Sequence, residues 1–125
     1  MSDLILIIED NEKNMKLARD LLQYHGFTIA GAENAEDGLA LARSTPPKLI
    51  LMDIQLPGMD GVTALAHLRS DAATARVPVV AMTASVMRED RERFDRAGFD
   101  GFITKPIDVR AFPQQVRDHV ARGRV

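Results

Sequence analysis

Short apolar runs alternate five times with longer segments in which apolar residues recur at helical spacing. The runs are Leu4–Ile8, Phe27–Ala30, Leu49–Met52, Val77–Met82 and Gly101–Thr104. Most are continuous rather than alternating, the pattern of strands covered on both faces in a parallel sheet. Between them Met15, Ala18 and Leu22 recur at helical intervals, as do Phe112, Val116 and Val120. Five strand–helix units with short connections, no linker and no repeat predict one doubly wound α/β domain over residues 1–125.

The punctuation between runs agrees. Gly26 and Gly98 stand where helices want a left-handed C-terminal cap, and Asn34 and Asp108 are predicted N-caps of the second and fifth helices. Pro46–Pro47 ends the second helix, and Pro57–Gly58 is a turn signal after the third strand. Pro113 fits poorly one turn inside a fifth helix capped by Asp108, so that helix is expected to begin with a loosened turn or nearer Phe112.

Composition narrows the function classes. The chain of 125 residues is 46% hydrophobic, enough for one core without staples. It has no cysteine, which excludes disulfides, thiolate metal sites and a cysteine nucleophile and fits a reducing cytoplasm. The net charge is −2 with both signs spread along the chain, so neither a nucleic-acid arm nor a membrane-binding one is expected. Leu4–Ile8 is too short to span a bilayer and lacks the flanks of a signal peptide. A cytoplasmic protein is expected.

Open α/β sheets bind ligands outside the carboxyl ends of their strands. Those ends carry Glu9–Asp10, Asp53, Thr83–Ala84 and Lys105–Pro106. Carboxylates without histidine or cysteine make a hard-oxygen site that suits Mg²⁺ better than zinc, with Mn²⁺ as an alternative. A lysine and a hydroxyl suit phosphate oxygens, and an aspartate can accept a phosphoryl group as a mixed anhydride. Taken singly, each residue also has a structural reading: Asp53 as a strand-end acceptor, Glu9–Asp10 as a helix start, Thr83 as a helix cap.

Four segments carry a resemblance: IIEDN at Ile7–Asn11, LILMDIQLPGMDG at Leu49–Gly61, VVAMTA at Val79–Ala84 and FITKPI at Phe102–Ile107. In order and at these spacings they resemble the receiver domains of two-component signalling over essentially the whole chain. The stretches around Asn11 and Thr83 look most like stand-alone cell-cycle regulators of the DivK type. The resemblance implies a flavodoxin-like sheet of order 2-1-3-4-5. It further implies Asp53 as phosphoacceptor, Asp10 as direct metal ligand, Glu9 acting through water and the Gln55 backbone carbonyl completing the metal shell. Thr83 and Lys105 would bind phosphoryl oxygens, Phe102 would be the switch aromatic, and Lys105–Pro106 would be cis. Gln55 and Ser85 match the positions that tune phosphoryl lifetime.

The expected partners are a sensor histidine kinase or histidine phosphotransferase and a downstream protein docking on the helix 4–strand 5–helix 5 face. A monomer or weak dimer is expected, and no output domain. The thin apolar side of the fourth helix (Val86, Met87, Phe94) and its Glu89–Arg93 and Glu92–Arg96 spacings fit an output surface or an ordinary amphipathic helix. His25, His67 and His119 are expected at the surface. An aspartate-nucleophile phosphatase would want a second acid where Gln55 stands, and no GxxxxGK or GxGxxG loop follows the first strand. A receiver cut from a hybrid kinase remains the alternative to a stand-alone regulator.

Overall fold

The computed structural model describes residues 3–56, 58–84 and 87–124. Pro57, Ser85 and Val86, which carried sequence expectations, lie outside the described residues. The chain runs β1 (Leu4–Ile8), α1 (Glu12–Tyr24), β2 (Thr28–Ala32), α2 (Ala35–Ser44), β3 (Leu49–Asp53), α3 (Gly61–Ser70), β4 (Val79–Thr83), α4 (Arg88–Ala97), β5 (Gly101–Thr104) and α5 (Phe112–Arg122). The strands form one parallel sheet of order β2-β1-β3-β4-β5, as the resemblance implied.

Alternation along the strands explains why their sequences read as unbroken apolar runs. Leu6 and Ile8, Ile50 and Met52, and Val79 and Ala81 enter the core cluster that α2, α3 and α4 cover through Ala35, Ala64, Leu65, Leu68 and Phe94. Their neighbours Ile5, Ile7, Leu49, Leu51, Val80 and Met82 enter the opposite cluster, covered by Met15, Ala18 and Leu22 of α1 and Phe112 and Val116 of α5. Each residue of a central strand therefore meets helix, whichever way it points.

Caps set the ends. Asn11, Asn34 and Asp60 each accept a backbone N–H in the first turn of α1, α2 and α3. Gly26 adopts φ +94° after α1, and the N–H groups of Gly26 and Phe27 close onto the carbonyls of Gln23 and Leu22. That closure takes Phe27 out of the expected second strand, which runs from Thr28 to Ala32. β2 is an edge strand, half covered, and the exposed Gly31 interrupts its apolar run before the buried Ala32.

Three local expectations are corrected. Asp108 does not cap α5: its carboxylate accepts from Arg110 and Ala111 in a preceding turn, and α5 begins at Phe112 with Pro113 in the first turn, where a missing N–H costs nothing. Among the described residues α4 pairs Arg88 with Glu92 at 3.0 Å and Arg93 with Asp90 at 3.7 Å, rather than the expected Glu89–Arg93 and Glu92–Arg96. His25 and His67 are exposed, but His119 is half-buried, with its Nδ1 3.0 Å from the Arg122 guanidinium. Burial first and the Arg122 charge second hold the imidazole of His119 below its usual pKa. Among the described residues no helix is long and apolar enough to cross a membrane.

Candidate phosphoryl and metal site

The carboxyl ends of β1, β3, β4 and β5 open into a cleft of ≈ 340 Å³. Each functional side chain reaches it because its strand stops there. The N–H of Glu9 still donates to the Ala32 carbonyl of the sheet, so Glu9 is the last residue held by β1; its side chain is buried while that of Asp10 is exposed. Asp53 closes β3 and is buried. The N–H of Gln55 donates to Asp53 Oδ1 at 2.9 Å, an Asx-type turn that fixes the direction of the carboxylate. Thr83 closes β4, and its carbonyl accepts from the Lys105 N–H at 2.8 Å, which carries β5 up to the same edge. The Lys105–Pro106 peptide is cis.

Lys105 is the internal counterion. Its Nζ donates to Glu9 Oε1 at 2.8 Å and to Asp53 Oδ2 at 3.0 Å. Burial pulls the ammonium down, but the hydrogen bonds to Glu9 and Asp53 outweigh it and the net shift is upward. The opposite conflict falls on Glu9. Burial, then the neighbouring Asp53, push its carboxyl up to about 7, against the pull of Lys105. One cation thus serves a crowded acidic group, and one carboxyl of that group tends to hold a proton.

The same crowding suits a divalent cation. Glu9, Asp10 and Asp53 offer carboxylate oxygens within 4.8 Å of one another, and Glu9 Oε2 is buried with no hydrogen-bond partner. An orphaned buried oxygen beside two other carboxylates is a site short of positive charge. All-oxygen donors fit Mg²⁺ and argue against zinc.

Sequence reasoning found every strand-end group but missed others that line the cleft: Asn11, Asn14, Asp90 and Arg93. Asn11 was detectable as the N-cap of α1, accepting from Asn14 at 3.1 Å. Asp90 and Arg93 carry only the i,i+3 spacing of a charged helix, which does not say which way the helix faces. Phe102 lies apart from the cleft, half-buried against the core cluster that α4 covers, with the Arg91 guanidinium 4.7 Å from its ring centroid. It lines a shallower groove of ≈ 300 Å³ with Arg91, Phe94 and Phe99.

Residues 5–117 match the family described as response regulator receiver domain. The chain belongs to the response-regulator receiver family. It is 40% identical to the polar-differentiation response regulator DivK of Brucella anthropi over 116 residues, 93% of this chain and 94% of that one. It is 39% identical to the protein of the same name from Brucella ovis, over 96% of this chain and 98% of that one. A response regulator structure from Chloroflexus aurantiacus superposes with a TM-score of 0.91 at 23% identity, covering 98% of this chain and all of the other. The receiver domain of the sensor histidine kinase PA1611 from Pseudomonas aeruginosa, described with a magnesium ion coordinated in its active-site cleft, gives a TM-score of 0.88 at 26% identity, over 97% and 98% of the two chains. This chain is a receiver domain of two-component signalling, similar to DivK, with the flavodoxin-like architecture of CheY-type proteins.

Proposed function

We propose that this receiver is a phospho-switch in which Asp53 accepts a phosphoryl group from a phosphohistidine of a sensor kinase or phosphotransferase. The observation that carries the reading is the bridge from Lys105 to both Glu9 and Asp53, within a cluster of three carboxylates at the strand ends. An Asp53 oxygen attacks phosphorus, the P–N bond of the donor breaks, and the imidazole nitrogen leaves with the bond pair. Lys105 stays charged and offsets negative charge on the transferring group, while Asp53 is oriented by the Gln55 N–H. Thr83, at the neighbouring strand end, offers its hydroxyl to a phosphoryl oxygen. Mg²⁺ would be held by Asp10, Asp53 and the Gln55 carbonyl, with Glu9 acting through water, and would supply charge neutralisation and alignment of the phosphoryl oxygens.

The aspartyl phosphate carries nearly two negative charges where one stood, together with new acceptor oxygens. Thr83 is drawn toward it, Phe102 turns inward, and the face built by α4, β5 and α5 changes what it presents to a downstream protein. The chemistry is single acceptance and slow loss of a phosphoryl group rather than sustained turnover. The 40% identity to the polar-differentiation response regulator of Brucella anthropi supports service as a response regulator of that kind. The likeness to a kinase receiver supports a second reading, service within a hybrid kinase relay.

Intact mass after incubation with acetyl phosphate tests the acceptor. Wild type should gain one phosphoryl group only with Mg²⁺, and Asp53→Asn should gain none. A gain in Asp53→Asn would place the acceptor elsewhere.

A further inference from the structure

We propose that Arg93 of α4 is a second cationic ligand for phosphoryl oxygens, drawing the anionic donor into the cleft and holding the aspartyl phosphate once it forms. The inference rests on the reading of Asp53 as phosphoacceptor and adds a group that reading does not use.

The need for it follows from charge. A phosphoryl donor arrives as an anion, and Lys105 with a bound Mg²⁺ would do little more than offset the carboxylates of Glu9, Asp10 and Asp53. Lys105 cannot meet it at the mouth, because its Nζ is already committed to Glu9 and Asp53 and its side chain is only 17% exposed. The other wall of the same cleft is α4, which contributes Asp90, Arg93 and Phe94. Phe94 is buried and anchors this wall, and the Arg93 guanidinium lies 5.2 Å from the centroid of its ring. Arg93 also acts toward α3: after hydrogen bonds from Thr63, its charge helps to hold the Asp60 carboxyl below the usual range.

What holds Arg93 at present is weak. Its nearest carboxylate oxygen is Asp90 Oδ1 at 3.7 Å, and the two side chains are 58% and 35% exposed. An exposed pair of that length contributes little to stability and exchanges readily for a better anion. A phosphoryl group is that anion, because the planar guanidinium can place two parallel N–H groups on two of its oxygens. The exchange would tie α4 directly to modified Asp53. A neighbouring arginine, Arg91, already stands over Phe102 at 4.7 Å, so α4 would touch both ends of the switch.

Time courses of Asp53 modification by acetyl phosphate and Mg²⁺, read by intact mass at several ionic strengths, test this. Arg93→Gln should lower the second-order rate constant about tenfold at low salt and flatten its salt dependence. Arg93→Lys should recover most of the salt dependence. Arg96→Gln removes the same charge from the same helix at a position that does not line the cleft, and should keep the wild-type rate. Unchanged Mg²⁺ affinity in Arg93→Gln would show the acidic site intact. A rate and salt slope in Arg93→Gln equal to wild type would overturn the proposal, as would an equal loss in Arg96→Gln, which reports net charge alone. No modification of wild type would overturn the acceptor reading and this proposal with it.

Discussion

Glu9 is squeezed by burial and by Asp53, and its carboxyl rises to about 7 although Lys105 is 2.8 Å away. The folded value lies above the ordinary one of 4.5, so the folded chain keeps a proton that the unfolded chain releases. The stability contributed by that proton is full below pH ~4.5 and is lost as pH rises through about 7. Glu9→Gln removes this dependence and leaves an amide that can still accept from Lys105 and donate toward Asp53. Without metal, the variant should exceed wild type by roughly 1–3 kcal/mol at pH 8 and converge with it near pH 5. Urea midpoints at the two pH values check this; parallel pH profiles would show that Glu9 carries no raised pKa. The site's strand-end residues were legible because a strand end is a local property of the sequence. The roles of Asp90 and Arg93 were not, because their place in the cleft depends on how α4 docks, which no local spacing reports.

α4 is the least anchored helix of the fold. It buries Phe94 alone, whereas α1 buries Met15, Ala18 and Leu22. Its first two residues, Arg88 and Glu89, are exposed, and Asp90 is half-buried. The other end is well tied: Gly98 takes φ +105°, and Arg69 reaches the Gly98 carbonyl and the buried Asp100 carboxylate at 3.3 and 2.8 Å. Local stability should therefore be graded along the helix. Hydrogen exchange should be fastest from Arg88 to Glu92 and slower from Phe94 to Ala97, with the first turns at least about tenfold faster than the centre of α1. Modification of Asp53 should slow them. Uniform protection equal to that of α1 would contradict a loosely held switch helix. Here too the sequence was partly legible. The thin apolar side was visible, but the Arg69–Asp100 anchor joins residues 31 positions apart and leaves no periodic trace. The late start of α5 was partly legible: Pro113 fitted poorly in a helix begun at Asp108, leaving a loosened first turn or a start nearer Phe112, and the helix takes the second.

At the scale of the molecule, parallel strands send every carboxyl end to one edge, and that is where Glu9, Asp10 and Asp53 meet. Periodicity revealed the five units, but the order β2-β1-β3-β4-β5 came only through resemblance, since nothing local in a strand names its neighbour. The acidic cluster is a cost that the two buried cores must carry. Asp53→Asn removes one charge from it, keeps an oxygen for the Gln55 N–H and leaves Lys105 its bond to Glu9. Metal-free Asp53→Asn should therefore be more stable than metal-free wild type by ~1–3 kcal/mol. Mg²⁺ should narrow or reverse that order. At a hundred times its dissociation constant it should add about 2.7 kcal/mol to wild type, and much less to a variant that has lost a ligand. Denaturant midpoints for both proteins, with EDTA and across a Mg²⁺ titration, measure the two effects separately. If wild type gained no more from Mg²⁺ than Asp53→Asn does, Asp53 would not be a metal ligand. If the metal-free variant were the weaker protein, the crowding of carboxylates would not be the price of this site.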